Sequence, residues 1–329
     1  MNRRRKKSSL SVLVVVLLLI IVLIGCGIRL LDSAVFSDNR ENGLQEESEK
    51  KTITVNGVDY YPRQDITVIL AMGIDTEGEM ADSGSYNNDG ESDVVALLVF
   101  NEESETFSVI NINRDAMVNM PVLGLGGKKA GTAYQQLALA HTYGTGLEDS
   151  CENTKETVSA LINNVYIDYY VAVNMSAISI VNDAVDGVTV EITDDFSQKD
   201  EQLPLGEVTL MGDQAVNFIR LRKGVGDQLN ISRMERHTEY INGFMESLNK
   251  KLDSGDSFIR NTYEKVSPYM CTDISVNSAS TLFNKYKDYQ LAEVITPKGE
   301  NVRGEKFMEF YLDEEAFKEM VINVFYKEK

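Results

Sequence analysis

The sequence ITVILAM at residues 66–72 begins a block of three apolar runs that decides the fold. It is followed by VVALLVF at 94–100 and by FSVINI at 107–112. The first two runs are continuously apolar, which is typical of central strands that are buried on both faces of a sheet, and the third is also a predicted strand. Because only the short turn 101–105 separates the second run from the third, we expect the three strands to run up, down and up.

The rest of the body alternates between helix and strand patterns. Apolar residues at helical spacing predict helices at Ala133–Tyr143, Asn153–Val165, Ser176–Ala184, Asp213–Leu221 and from Asn230 onward. Tyr169–Asn174 and Val188–Ile192 are predicted strands, and residues 52–61 a hairpin around Asn56-Gly57. This alternation predicts the α/β class, as an α-β-α sandwich with a central mixed sheet flanked by helices.

Charged residues stand where the three apolar strands begin and end. Asp75 follows the first strand, Asp93 precedes the second, and Arg114 and Asp115 follow the third. In an up-down-up arrangement these positions meet at one edge of the sheet. Carboxylates outside strand ends commonly hold Mg²⁺, whose other ligands are water and phosphate oxygens. The alternative is that Asp75 and Asp115 are ordinary turn and cap residues.

A basic island lies between residues 220 and 236 of an otherwise acidic chain. It contains Lys223 and four arginines, Arg220, Arg222, Arg233 and Arg236. The stretch Ser232-Arg233-Met234-Glu235 fits a capping box, which places two of the arginines in the first turns of a helix, where backbone N–H groups favour phosphate. Guanidinium groups bind phosphate through paired hydrogen bonds, so the island predicts an anion site. A solvated, charged helix face is the alternative.

Charge and motif content exclude three kinds of binding site. The chain has 32 Lys and Arg against 51 Asp and Glu, a net charge of −19, and a body this acidic repels nucleic acid. The run Gly124–Lys128 lacks the P-loop spacing and the Ser or Thr after the lysine, so we interpret it as a flexible loop. With two histidines and no Cys/His cluster, we expect no zinc site, and His237 lies on an apolar helical stripe.

The amino-terminal residues predict a membrane anchor. Residues 1–9 form a basic tail, and an apolar run of 19 residues, Leu10–Ile28, lies in a predicted transmembrane anchor at 10–31. Because basic residues stay inside, we expect a single-pass cell-membrane protein whose amino terminus is cytoplasmic and whose body is extracellular. The alternative is lipid modification of Cys26, since Leu23–Cys26 has the form of a lipoprotein processing site. Residues 32–51 form an acidic linker.

Two further cysteines, Cys151 and Cys271, lie in the body. In an oxidising compartment such a pair is consistent with a disulfide, and buried free thiols are equally ordinary. The sequence leaves both possibilities open.

The order of motifs resembles the LytR-CpsA-Psr family of cell-wall transferases, as a divergent member. Eight motifs within residues 65–252 carry the resemblance: Gly73-Ile74-Asp75, Ser92-Asp93, Ile112-Asn113-Arg114-Asp115, Ala140-His141-Thr142-Tyr143-Gly144, Ile167-Asp168-Tyr169-Tyr170-Val171, Asp186-Gly187-Val188, Arg220-Leu221-Arg222 and Arg233-Met234-Glu235-Arg236. Each motif is short, and their common order makes the resemblance specific. Residues 52–256 would be the catalytic domain, and 257–329 a C-terminal extension of helices and short strands that packs on it.

The resemblance implies a Mg²⁺-dependent phosphotransferase. Such proteins transfer a glycopolymer with its proximal phosphate from a polyprenyl-pyrophosphate carrier to a peptidoglycan sugar hydroxyl, and a lipid pyrophosphatase side activity is compatible with this chemistry. It implies that Mg²⁺ is held by Asp75 and Asp93, and that the pyrophosphate is bound by Arg114, Arg220, Arg222, Arg233 and Arg236. The implied catalytic residues are Arg114, Asp115, Arg220 and Arg222, where Asp115 either orients the acceptor hydroxyl or pairs with Arg114. A non-catalytic surface protein that binds lipid-linked or wall glycans is the alternative.

Three positions depart from the family pattern. Glu91 precedes Ser92-Asp93 where the family usually has arginine, and Asn113 replaces the usual proline before Arg114. Gln136 aligns with a common lysine. The two lost cations weaken the expected pyrophosphate clamp, and Glu91 is a possible additional metal ligand.

Overall fold

The computed structural model describes residues 52–221, 225, 236, 239–240, 242–244, 246–248, 250–251, 257–286 and 288–328. Its strands are β1 (Ile53–Val55), β2 (Val58–Pro62), β3 (Ile66–Ile74), β4 (Ser92–Asn101), β5 (Thr106–Ile112), β6 (Met117–Leu123), β7 (Lys129–Gln136), β8 (Tyr169–Asn174), β9 (Val188–Ile192), β10 (Gly206–Leu210), β11 (Met270–Thr272), β12 (Gln290–Ile295), β13 (Gly299–Arg303), β14 (Met308–Leu312) and β15 (Tyr326–Glu328).

The α-helices with continuous description are α1 (Glu148–Leu161), α2 (Ser176–Ala184), α3 (Asp213–Arg220), α4 (Ser257–Val266), α5 (Val276–Tyr286) and α6 (Glu314–Phe325). Short 3₁₀ helices lie at Leu125–Gly127, Leu137–Thr142 and Ser267–Tyr269. Arg236, Tyr240, Phe244 and Leu248 are also helical.

A six-stranded mixed sheet in the order β11-β8-β3-β4-β5-β12 forms the centre of the body. Strand β4 pairs antiparallel with both β3 and β5, which is the predicted up-down-up arrangement. The outer neighbours β8 and β12 pair parallel with β3 and β5, and β11 pairs antiparallel with β8. The predicted α/β class with a central mixed sheet flanked by helices is confirmed.

Both faces of the sheet are buried, which explains the continuous apolar runs. On β3, Ile69 and Ala71 pack on one face, together with residues of α2, α3, α4 and α5. Leu70 and Met72 point to the other face, which is covered by α1, α6 and the 3₁₀ helix at Leu137–Thr142. Burial on both sides removes the alternation of apolar and polar residues that marks a half-exposed strand.

The prediction of a helix at Ala133–Tyr143 is wrong. Residues up to Gln136 belong to β7, which pairs with β6 in register Met117↔Gln136 and Asn119↔Tyr134, and the chain then turns into a 3₁₀ helix. The helical spacing arose from two short elements in succession, and pairing with β6 overrode it. The helix predicted at Asn153–Val165 is α1, which begins earlier and ends at Leu161, because Asn163 and Asn164 adopt positive φ of 63° and 57°.

The C-terminal residues complete the central sheet at both edges, through β11 and β12. On α5, the Tyr286 ring stacks on Phe100 of β4 with ring centroids 4.2 Å apart. Its hydroxyl donates a hydrogen bond of 2.6 Å to Oγ1 of Thr67 on β3. Residues beyond 257 are therefore part of the same hydrophobic core as the apolar strands.

Cys151 on α1 and Cys271 on β11 are both buried and are free thiols. A hydrogen bond to Cys271, together with burial, raises the pKa of the Cys151 thiol. Of the two possibilities that the sequence left open, the structure has the free pair.

No helix among the described residues is long and apolar enough to cross a bilayer. The predicted tail, anchor, linker and Cys26 all precede residue 52 and lie outside the described residues.

Candidate functional site

The strand ends bring the predicted carboxylates around one arginine. Arg114 follows β5, and its Nη1 forms a salt bridge with Oδ1 of Asp93, near the start of β4. The same nitrogen lies 3.8 Å from Oε2 of Glu91, and Nε of Arg114 lies 3.7 Å from Oδ1 of Asp115. One guanidinium group thus lies among three carboxylates.

Asp93 lies in an electrostatically unfavourable position. Partial burial raises its pKa, the adjacent Arg114 opposes this effect, and the negative charges of Asp75 and Asp115 raise the pKa further. Asp75 is therefore close enough to Asp93 for the two carboxylates to repel each other electrostatically. The remaining negative potential at this edge is what a bound cation would offset.

Hydrogen bonds with the 3₁₀ helix and the turn after it hold the chain around these residues. Asn88 donates through Nδ2 to the carbonyl oxygens of His141 and Gly144, both at 2.9 Å, and Ser92 donates to the carbonyl oxygen of Ala138. The backbone of Ala138 in turn donates to the carbonyl oxygen of Arg114 at 2.9 Å. The 3₁₀ helix therefore positions both the start of β4 and the end of β5.

Arg220, at the C-terminal end of α3, reaches the same edge from the β3 side. Its Nη1 donates to Oε1 of Glu77 at 2.8 Å, and its Nη2 lies 3.9 Å from Oδ1 of Asp75. The side chain is half exposed, so it has room to bind a ligand. Nothing in the local sequence pattern had indicated Glu77 as a partner.

Arg236 is buried, with 5% of its surface exposed, and has partners of its own. Its Nη1 donates to Oδ2 of Asp194 and its Nη2 to the carbonyl oxygen of Leu221, both at 2.6 Å, while its guanidinium carbon lies 5.2 Å from the Phe196 ring centroid. These contacts occupy the two terminal nitrogens that were expected to bind pyrophosphate, and Nε is buried without a hydrogen-bond partner among the described residues. They also hold the chain one residue beyond Arg220, so the contacts give Arg236 a positioning role.

Arg222 and Arg233 lie outside the described residues, so the structure places only two of the island's four arginines. Their role in pyrophosphate binding stays a prediction. The island is therefore joined to the strand-edge carboxylates through Arg220 alone among the described residues.

The three departures from the family pattern all lie in this site. Gln136 donates through Nε2 to Oδ1 of Asp115 at 2.9 Å and to the carbonyl oxygen of Met308 at 2.7 Å. Oδ1 of Asn113 accepts a hydrogen bond from the Asp115 backbone N–H at 2.9 Å. Gln136 and Asn113 thus hold Asp115 with neutral groups, where a lysine would add charge. Glu91 contacts Arg114 instead.

The donor set fits a divalent cation with few protein ligands. The described residues contain no group of three or more His, Cys, Asp or Glu side chains placed to hold a metal ion. Partial burial is the main cause of the raised pKa of Asp93, and the negative charge of the neighbouring Asp75 raises it further, although Arg114 opposes both effects. Mg²⁺ commonly takes one or two carboxylates and completes its shell with water and phosphate oxygens.

The fold and its edge site define an α/β protein whose arginines and carboxylates suit a phosphorylated ligand. A model of the LytR_cpsA_psr family matches residues 32–323, so the chain belongs to this family.

Relatives and solved structures agree with this assignment. The chain is 25% identical over 267 residues to a polyisoprenyl-teichoic acid–peptidoglycan teichoic acid transferase TagU of Enterococcus faecalis, covering 80% of this chain and 78% of that protein. It is 32% identical over 186 residues to the TagU of Oceanobacillus iheyensis, covering 56% of this chain and 52% of that protein. The crystal structure of protein gbs0355 from Streptococcus agalactiae shares the fold, with a TM-score of 0.59, 21% identity and coverage of 79% and 87%.

Proposed function

We propose that the chain transfers a glycopolymer, with its proximal phosphate, from a polyprenyl-pyrophosphate carrier to a peptidoglycan sugar hydroxyl. The observation that carries this proposal is the placement of Arg114 and Arg220 on either side of the Asp75 and Asp93 carboxylates. Two guanidinium groups next to two carboxylates suit a pyrophosphate and its divalent cation. The names of the two TagU relatives point to the same class of donor and acceptor.

The reaction is a displacement at phosphorus. The acceptor oxygen forms a bond to the phosphorus that carries the glycopolymer, and the bond from this phosphorus to the bridging oxygen breaks. The polyprenyl phosphate leaves with that bond's electron pair, and the acceptor hydroxyl loses its proton to a base. Water in place of the sugar hydroxyl would give the lipid pyrophosphatase side reaction.

Each residue of the site has a role in this reaction. Arg114 and Arg220, together with Arg222, would neutralise charge on the phosphate oxygens, which is the main contribution of a protein to phosphoryl transfer. Asp115, held by Gln136 and by the Asn113 side chain, would orient the acceptor hydroxyl and accept its proton. Mg²⁺ held by Asp75 and Asp93 would supply further charge neutralisation on the pyrophosphate.

Reconstitution tests the proposal. The full chain in detergent is given Mg²⁺, a synthetic polyprenyl-pyrophosphate glycan and un-cross-linked peptidoglycan, and the release of polyprenyl phosphate and the glycan joined to peptidoglycan are both measured. We expect both products from the wild type and neither from Asp93→Asn, while Asp195→Asn, an exposed aspartate in a loop, remains active. Binding of the donor by the wild type without cleavage would instead identify a non-catalytic glycan-binding surface protein.

We also propose a location, from the sequence of residues 1–31. Their basic tail and apolar run support a single membrane span with the body outside the cell. Protease added to intact cells should remove the body, and Cys26→Ala should leave the protein in the membrane fraction. Loss of the Cys26→Ala variant from the membrane would favour the lipid anchor.

A further inference from the structure

A groove lies beside the candidate site, on the side of Asp115. Its volume is about 870 Å³, within the range of roughly 300–1,000 Å³ that is usual for ligand sites. It is lined by residues of β1, β6, β7, β14, α1 and α6. The reaction as proposed gives this groove no role.

The groove is connected to the site through Asp115. Gln136 of β7 donates to the Asp115 carboxylate, and the backbone of Phe310 on β14 donates to the Asp115 carbonyl oxygen at 2.9 Å. Tyr134 precedes Gln136 by two residues on β7 and therefore lies on the same face of that strand. Tyr311 is the neighbour of Phe310, and both tyrosines line the groove.

The position of the groove suits the incoming nucleophile. Arg220 reaches Asp75 at the end of β3, whereas Asp115 follows β5, and β4 lies between these strands. In an in-line displacement the attacking and leaving oxygens are on opposite sides of the phosphorus. If the carrier pyrophosphate is bound towards Arg220, the acceptor hydroxyl arrives from the Asp115 side, where the groove opens.

The lining suits a sugar. The side chains of Tyr134 and Tyr311 are 53% and 39% exposed, and such uncovered rings are flat apolar surfaces with a polar edge. The floor is apolar and includes the buried Val118 and Phe317, whereas the lining also carries polar groups such as Asn119. Sugar rings combine apolar faces with hydroxyl edges. The Tyr311 hydroxyl already donates to Oε2 of Glu309 at 2.7 Å. A hydrocarbon chain would cover the Tyr134 phenol and the Asn119 amide without offering either a hydrogen-bond partner.

We infer that this groove binds the glycan strand of the peptidoglycan acceptor, and that Tyr134 and Tyr311 stack against its sugar rings to present a hydroxyl to Asp115. The inference rests on the proposed transferase function and identifies where its second substrate binds. We call this feature the acceptor groove.

The test separates acceptor binding from donor chemistry. The full chain is given a synthetic polyprenyl-pyrophosphate glycan and short un-cross-linked glycan strands, and transfer and cleavage by water are measured in parallel. For Tyr134→Ala and for Tyr311→Ala we expect the KM for the glycan strands to rise about tenfold, roughly what the loss of one buried aromatic contact costs. The ratio of transfer to hydrolysis should fall with it, and melting temperatures show that the variants are folded.

Matched variants show whether the aromatic ring itself and its position in the groove are required. Tyr134→Phe and Tyr311→Phe keep the ring and should stay near the wild-type KM. Tyr166→Ala, which removes an exposed tyrosine that lines a separate, smaller cavity, should leave both activities unchanged.

The possible results distinguish a wrong assignment of the acceptor groove from a wrong assignment of the transferase function. An acceptor KM within twofold of wild type in both alanine variants would overturn the acceptor groove while leaving the transferase intact. A raised KM for the donor with an unchanged acceptor KM would assign the groove to the carrier lipid and would also overturn the inference. If the wild type neither cleaves nor transfers, the proposed function itself fails.

Discussion

Arg114 has contacts with Asp93, Glu91 and Asp115, and this arrangement depends on the planar guanidinium group. A lysine has the same charge but a single ammonium group, so it cannot bridge the carboxylates and pair with phosphate oxygens at the same time. We expect Arg114→Lys to lower kcat about 100-fold, the usual effect of losing one well-placed donor to a developing charge. Steady-state kinetics of polyprenyl phosphate release measure this change.

A retained wild-type kcat in Arg114→Lys would show that charge alone is needed at this position. Arg63→Lys is the control, because Arg63 lies at the opposite end of β3 and pairs with Asp65 at 3.3 Å. That substitution should leave kcat unchanged.

Asp93 links stability to pH. Because its pKa is raised in the folded protein, the folded state binds this proton more tightly than the unfolded state does. The stability from this group is fully present below the ordinary aspartate pKa of 3.8 and is lost as the pH rises through the folded pKa. Without Mg²⁺, Asp93→Asn should therefore have a higher melting temperature than the wild type at pH 7, and the difference should vanish below pH 3.8.

Mg²⁺ provides a second readout for the same variant. A cation that binds only the folded state raises its stability, so Mg²⁺ should raise the melting temperature of the wild type and not that of Asp93→Asn. In contrast, hydrogen bonds from Ser197 lower the pKa of Asp195, so its ionised carboxylate stabilises the folded protein. Asp195→Asn should therefore lower the melting temperature at pH 7. Equal Mg²⁺ responses in wild type and Asp93→Asn would argue against Asp93 as a ligand.

At the scale of single elements, Gly187 lies in the turn between α2 and β9. A substitution at Gly187 tests how closely this turn packs against β10. Gly187 has φ of +85°, and a Cβ atom there would lie 2.8 Å from the carbonyl oxygen of Leu210 on β10. Gly187→Ala should cost about 3 kcal/mol of unfolding free energy, from backbone strain and overpacking together. Urea unfolding followed by circular dichroism measures this.

A substitution at Gly206 separates the cost of backbone strain from the cost of overpacking. Its φ is +103°, but a Cβ atom there would have no neighbour within 4 Å. Gly206→Ala should therefore cost about 1 to 2 kcal/mol, from the backbone alone. Equal costs at the two positions would mean that the packing around Gly187 relaxes freely.

The success of the sequence-based prediction also differed between elements. β3, β4 and β5 were predicted because each carries its own apolar run, and the convergence of Asp75, Asp93, Arg114 and Asp115 followed from the turns between them. β7 was missed because Lys129–Gln136 is mostly polar and exposed, so its strand conformation depends on pairing with β6. The β13–β14 hairpin, which supplies the Met308 carbonyl oxygen to Gln136, was missed for the same reason.

Contacts between distant residues were beyond local patterns altogether. The pairing of Arg236 with Asp194 joins residues 42 positions apart, and nothing near either residue indicates it. The basic island was recognised from its composition, whereas the division of its arginines between ligand contact and structural support depends on tertiary packing. A charge pattern can thus predict that an anion site exists. It cannot predict which of the cationic side chains contact the anion.

At the scale of the whole molecule, the residues after 257 cannot be removed without exposing the sheet. A chain ending at residue 256 lacks β11 and β12 and leaves β8 and β5 as uncovered edges. It also loses the Tyr286 ring that covers Phe100. Unpaired edges promote association, so we expect this truncated chain to aggregate, as measured by size-exclusion chromatography.

The control protein retains all the helices and strands but has one cleaved peptide bond. A protease site placed in the turn Gly304–Lys306, between β13 and β14, can be cut after folding. The nicked protein should remain monomeric with unchanged circular dichroism, because both pieces stay packed. A monomeric, folded protein ending at residue 256 would contradict the expectation for truncation.

The pairing of β15 with β2 has a consequence for the order of events in folding. Tyr326 pairs with Pro62 and Glu328 with Tyr60, so strands from the two ends of the described chain are hydrogen-bonded neighbours. Contacts between residues so far apart in sequence form late and slow the overall rate. Because β15 is made after every other described element, the sheet β1-β2-β15 stays incomplete until β15 has been synthesised.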